Sequence, residues 1–180
     1  MIFTHYASGQ GPGNLAAGLV MAFGEDWNGN VILGIDGGGL NILDKSTGII
    51  EKVQYDAQNP NTLSSNAIYE IFQDNSETIW IGTYAGGLNY ASRYKYKFKN
   101  FKPNPLDPNS LSYKNVTAVV QDLDNEIWIG TDGGGLNHFN RENNYFTRYE
   151  HDPEDTTSIP TDVIINMGVD TDGELYLCTY

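Results

Sequence analysis

Short runs of β-branched and aromatic residues alternate along this chain with clusters of Asp, Asn, Gly and Ser, and no stretch carries a helical period. Residues 66–73 (Asn-Ala-Ile-Tyr-Glu-Ile-Phe-Gln) read as a strand, and residues 74–77 (Asp-Asn-Ser-Glu) as a turn. Residues 78–83 (Thr-Ile-Trp-Ile-Gly-Thr) are nearly all apolar, which predicts a strand buried on both faces. Ala85-Gly86-Gly87 supplies a turn that tolerates positive φ, and Leu88-Asn89-Tyr90-Ala91 starts a third strand. From Tyr94 to Phe101 the pattern alternates strictly, Tyr94, Tyr96 and Phe98 against Lys95, Lys97 and Lys99, as in an outer strand with one wet face.

This unit repeats. Val31-Ile32-Leu33-Gly34-Ile35-Asp36-Gly37-Gly38-Gly39-Leu40-Asn41 returns from Ile79 to Asn89 and from Ile127 to Asn137, and a fourth copy opens at Leu175, each step being 48 residues. Asp26, Asp74, Asp122 and Asp170 begin equivalent turns, and Leu15, Leu63, Leu111 and Ile159 end equivalent loops as candidate apolar plugs between units. Four short strands per 48 residues predict an all-β fold, a β-propeller segment of four-stranded blades. With strands A to D numbered from the axis outward, residues 1–14 are expected to form a lone outer strand (Phe3-Thr4-His5-Tyr6, resembling Phe146-Thr147-Arg148-Tyr149) and a loop. Residues 15–62, 63–110 and 111–158 then make three blades, and 159–180 the first two strands of a fourth. About three and a half blades fall short of a closed ring of roughly four to eight, so the chain reads as part of a larger propeller.

The net charge of −13 argues against nucleic acid or an anionic membrane surface as partner, and leaves neutral ligands and cations open. The single cysteine, Cys178, excludes an internal disulfide. No apolar run reaches membrane-spanning length, so any membrane attachment is expected from parts of a parent protein outside these residues. Met1 to Tyr6 reads as repeat material and not as a signal peptide.

The Ile-Trp-Ile-Gly-Thr strand, the Gly-Gly-Leu-Asn turn and the linkers Asn59-Pro60-Asn61-Thr62-Leu63-Ser64 and Asp107-Pro108-Asn109-Ser110-Leu111-Ser112 resemble the two-component regulator propeller repeat. The second and third eleven-residue copies agree at nine positions, while Ile32 and Tyr176 replace the tryptophan and Cys178 replaces a glycine. The resemblance implies a propeller of about seven blades in the periplasmic sensor domain of a hybrid histidine kinase of the Bacteroidetes type. It further implies an oligosaccharide ligand, a homodimeric parent, and a kinase beyond this chain.

Where the repeated residues serve the fold, candidate chemistry lies in what varies between copies. The Asp-rich turns resemble calcium-loop starts, but strands follow at once and the twelfth-position glutamate of an EF-hand is missing, so hairpin chemistry is expected. The Gly runs lead into strands behind an aspartate, which does not suit a phosphate cradle. His5, His138 and His151 occupy unrelated slots without metal or nucleophile spacing, and neither a catalytic residue, a metal nor a cofactor is expected. Arg93, Lys95, Lys97, Lys99 and Lys102 hold half of the positive charge, as protection of an outer edge strand or, alternatively, as a site for an anionic glycan.

The B–C and D–A loops open on one face of a propeller, beside its channel. One B–C slot varies within a repeated frame: Asp36, Tyr84, Asp132 and Tyr180. Carboxylates accept from sugar hydroxyls and tyrosines offer a stacking face, so these residues are candidate ligand contacts. The starts of strand A vary too, as Asn66, Lys114 and Asp162, with Tyr113 just before Lys114. The expected function is non-catalytic ligand sensing. Two alternatives stay open: a propeller lyase or glycosidase, which would need paired carboxylates such as Asp36 and Asp132, and a protein-interaction scaffold.

Overall fold

The computed structural model describes residues 3–93 and 95–180. Tyr94, one of the alternating outer-strand residues, therefore lies outside the described residues. The first sheet comprises β1 (Val20–Glu25), β2 (Val31–Ile35), β3 (Gly39–Leu43) and β4 (Ile50–Val53). The second comprises β5 (Ile68–Gln73), β6 (Thr78–Thr83), β7 (Gly87–Ser92) and β8 (Lys95–Phe101). The third comprises β9 (Val116–Gln121), β10 (Ile127–Thr131), β11 (Leu136–Asn140) and β12 (Tyr145–Tyr149), and β13 (Ile164–Val169) pairs with β14 (Leu175–Thr179) in the last. Within each sheet the strands are antiparallel and stand in sequence order. The innermost strands pack in succession, β1 on β5, β5 on β9 and β9 on β13, which makes the sheets consecutive blades of a β-propeller.

The core lies between blades. Ala22, Ile32, Leu63, Ile68, Ile79 and Ile81 pack in the first seam. Trp80, Leu88, Leu111, Val116, Ile129, Phe139 and Phe146 fill the second, and Ala118, Leu136, Ile164 and Met167 the third. Alternation along β6 sends Ile79 and Ile81 to one seam and Trp80 to the next, so this central strand is buried on both faces, as its composition predicts. In the first three blades the glycine of the second strand admits the following blade. A Cβ on Gly34, Gly82 or Gly130 would stand 2.6, 2.8 or 2.6 Å from a methyl of Ile68, Val116 or Ile164.

A correction concerns Phe3 to Tyr6, which form no strand. An extended segment becomes a strand only against a free ladder edge, and among the described residues no third strand offers one there. Instead the loop that follows docks on the first blade: Ser8 bridges Leu15, Ile50 N–H donates to Pro12 C=O (2.6 Å), and Lys52 Nζ donates to Gly9 C=O (2.8 Å).

Candidate functional site

The A–B turns of all four blades share one device. The Oδ1 atoms of Asp26, Asp74, Asp122 and Asp170 each accept the N–H groups two and four residues on, at 2.8–3.0 Å. Oδ2 of Asp74 and of Asp122 accepts the indole N–H of Trp80 and Trp128, and where Ile32 replaces the tryptophan, Asn30 Nδ2 donates to Asp26 instead. These aspartates close hairpins. Among the described residues no group of His, Cys, Asp and Glu is placed to hold a metal ion.

On the opposite face, the B–C turns lock onto the next blade. Gly39, Gly87 and Gly135 have φ of 72, 80 and 66° and donate their N–H to the carbonyls of Asn66, Lys114 and Asp162, each at 2.8 Å. A side chain at any of the three would run into the carbonyl that ends the fourth strand, Val53, Phe101 or Tyr149. The rigid turn then presents the variable residue that precedes it. Asp36 is half-buried, whereas Tyr84, Asp132 and Tyr180 are exposed.

These four residues gather in pairs at alternate seams. In the first seam, Tyr84 stacks on Tyr69 with centroids 5.7 Å apart and planes at 29°. Burial, then the neighbouring Asp36 carboxylate and Tyr84, holds the Tyr69 hydroxyl above its ordinary pKa, so Asp36, Tyr69 and Tyr84 share one locality. In the third seam, Asp132 and Tyr180 line a cleft of about 140 Å³ with Thr117, Val163, Ile164 and Ile165. Asp36 and Asp132 thus stand in separate seams, not as a pair.

The strand A starts are tied into the scaffold. Asn66 Oδ1 accepts Tyr55 N–H and Asp162 Oδ1 accepts His151 N–H, both at 2.7 Å. The equivalent donor position before Lys114 is Pro103, which has no N–H, and Lys114 is an exposed residue with no acceptor to offer. The variation Asn66, Lys114, Asp162 therefore tracks a backbone donor. Tyr113 lies under the glycines of its own B–C turn: a Cβ on Gly133 would come within 3.3 Å of its ring.

Two residues of this face carry no period signal and escape a sequence reading. Tyr69 is the extra residue of a β-bulge between Ile68 and Glu70, a register shift that recurs at Met21, Thr117 and Ile165. Glu70 occupies the slot of Ala22, Ala118 and Asn166. Burial pushes its carboxyl up to about 7, against one stabilising backbone N–H from Ile71. Its departure from the alanine of two other copies is the signal that would have found it.

The remaining candidates are engaged locally. His138 stacks on Trp128 (centroids 4.5 Å) with its Nε2 3.1 Å from Glu126, and His151 Nδ1 lies 2.8 Å from Ile159 C=O. Arg93 pairs with Glu77 at 3.2 Å, and β8, with Lys95, Lys97 and Lys99 on it, is the outermost strand of its sheet.

Residues 62–85 match the family model described as two component regulator propeller, which covers the end of one linker and the A and B strands of the repeat. No curated protein matches the chain. Among solved structures it resembles the extracellular domain of a putative hybrid two component system from B. thetaiotaomicron, with TM-score 0.76 and 22% identity over 91% of this chain and 22% of that one. Virginiamycin B lyase from Staphylococcus aureus gives TM-score 0.64 and 18% identity over 89% of this chain and 48% of that one. PorZ, a surface component of the type-IX secretion system of Porphyromonas gingivalis, gives TM-score 0.64 and 12% identity over 98% and 27%. At these identities the structures share the propeller fold, and the chain spans under half the length of each.

Proposed function

We propose that this chain is a ligand-reading segment of an extracytoplasmic, periplasmic sensor propeller, non-catalytic itself, whose larger parent passes the signal to a histidine kinase. The family match over residues 62–85 and the likeness to the extracellular domain of a putative hybrid two component system support this reading. The ligand is an oligosaccharide held on the B–C loop face. The observation that carries it is the stack of Tyr69 and Tyr84 on the loop face, with the Asp36 carboxylate of the preceding blade near enough to raise the Tyr69 pKa. The carboxylate accepts hydroxyl protons, and the exposed Tyr84 ring, 49% accessible, offers a stacking face backed by Tyr69. A bound saccharide can signal only by favouring one arrangement of the parent dimer over another.

Calorimetry of the chain against a panel of neutral and acidic oligosaccharides tests the reading. The expected result is saturable heat with at least one glycan, reduced about tenfold in affinity or more by Tyr84→Ala, the loss of one stacking contact. No response to any glycan from a folded sample overturns it.

A further inference from the structure

The second seam holds another cleft, at the opposite end of the blades, where the A–B and C–D turns lie. It measures about 140 Å³ and is lined by Thr78, Trp80, Tyr90, Phe139, Arg141 and Asn144. Three aromatic side chains form its walls, with the ring centroids of Tyr90 and Phe139 lying 5.2 and 5.5 Å from that of Trp80. The cleft is open to solvent, and its volume is close to the about 150 Å³ at which an enclosed apolar cavity accepts benzene.

Of the polar groups of the cleft, Thr78, Arg141 and Asn144, the cation Arg141 is incompletely used. Arg141 Nη2 donates to Asp74 Oδ2 at 2.8 Å, and the guanidinium lies 5.7 Å from the Trp80 ring centroid. Its Nε–H is buried and has no hydrogen-bond partner among the described residues. A buried donor left unpaired is destabilising, and an acceptor delivered by a ligand would satisfy it. Lys99 stands at the rim, donating to Asn144 Oδ1 at 2.7 Å and lying 5.9 Å from the centre of the Tyr90 ring. Asp74 does not offset Lys99. Its carboxylate is fully buried and already accepts from Ser76 N, Thr78 N, Trp80 Nε1 and Arg141.

On the first blade Asn30 and Ile42, which correspond to Thr78 and Tyr90, line a cleft with Asp44 and Glu51. Arg93, which corresponds to Arg141, pairs with the exposed Glu77 at 3.2 Å. We propose that the cleft between the second and third blades binds a six-membered ring bearing a carboxylate, the ring among Trp80, Tyr90 and Phe139 and the carboxylate on Arg141 Nε–H, with Lys99 supplying further positive charge. The site is independent of the loop face. Its ligand is an aromatic acid or a uronic acid, which share this chemistry.

The test follows the side-chain Nε–Hε resonance of Arg141 in ¹⁵N-labelled protein, assigned by its absence in Arg141→Lys. Benzoate, glucuronate, benzyl alcohol and glucose are titrated at constant ionic strength. A saturable shift with benzoate, glucuronate or both, without a matching shift from the neutral rings, supports the proposal and names the source. Lys99→Gln, which leaves the Asp74 clamp intact and is expected to melt as the parent does, should weaken that binding about threefold. A resonance indifferent to all four compounds means that water satisfies the Nε–H and overturns the proposal, as does equal binding of the neutral rings.

Discussion

Asn41, Asn89 and Asn137 sit on the third strands with no exposed surface, and the Oδ1 of each accepts the N–H that follows the plug residue of a D–A loop, from Ala16, Ser64 and Ser112 at 2.7–2.9 Å. Each amide thus ties a loop to the strand that forms the loop face. Asn137→Ala would strand the Ser112 N–H and Oγ in a dry site, so it is expected to cost about 2–3 kcal/mol, read as a lower denaturant midpoint at unchanged slope. A milder case tests the donor-matching of the strand A starts. Asn66→Ala, which orphans the Tyr55 N–H, should cost about 1 kcal/mol, whereas Lys114→Ala should stay within about 0.5 kcal/mol because Pro103 has no N–H to satisfy. Equal effects in thermal melts would refute the donor-matching account.

At the scale of the element, the bulge in each innermost strand sets the site. It adds one residue against the partner strand, and in β5 that residue is Tyr69, which thereby meets Tyr84 at the end of the neighbouring strand of the same blade. The same strand puts Glu70 opposite Gly82, beside Val116 of the next blade, where its carboxyl holds a proton up to about pH 7. The unfolded chain releases that proton near pH 4.3. Between those values the folded state binds more protons, so stability falls as pH rises from about 4.5 to 7 and levels off above. Glu70→Gln removes the effect. It is expected to raise the melting temperature at pH 8, by a gain of about 1–3 kcal/mol reduced from the full shift by solvent screening, and to change little at pH 4. A pH-independent difference between the two proteins would show that Glu70 acts by packing alone.

At the scale of the whole molecule, the first blade is the unusual one. Val20 is 48% exposed, whereas its equivalents Ile68, Val116 and Ile164 are at 0–1%, and Phe23 is 78% exposed where Ile71, Val119 and Met167 are buried. The outward face of β1 therefore has the apolar character of an inter-blade surface without a blade against it, and β14 pairs on only one side. In solution this chain is expected to self-associate through these surfaces. Phe23→Ser should shift the concentration dependence of its sedimentation toward the smaller species, since nothing in the described residues packs on Phe23 to be lost. A strictly monomeric parent at high concentration would contradict this expectation.

The 48-residue recurrence determined by itself the strands, their order, the hairpin aspartates and the inter-blade glycines, because each repeat must solve the same packing problem and writes the same residues for it. The resemblance carried by the Ile-Trp-Ile-Gly-Thr strand and its linker was legible for the same reason. Only the tertiary structure decided which varying residues meet. The meeting of Asp132 with Tyr180 in one cleft and the proximity of Asp36 to Tyr69 depend on seams between blades, and the contribution of Tyr69 depends on a bulge that breaks the two-residue period. Asn66 and Asp162, varied in sequence, proved to serve backbone donors eleven residues away. Phe3 to Tyr6 carried the pattern of a strand but had no neighbour to pair with. A β-strand is a property of two segments, and its side-chain pattern describes only one of them.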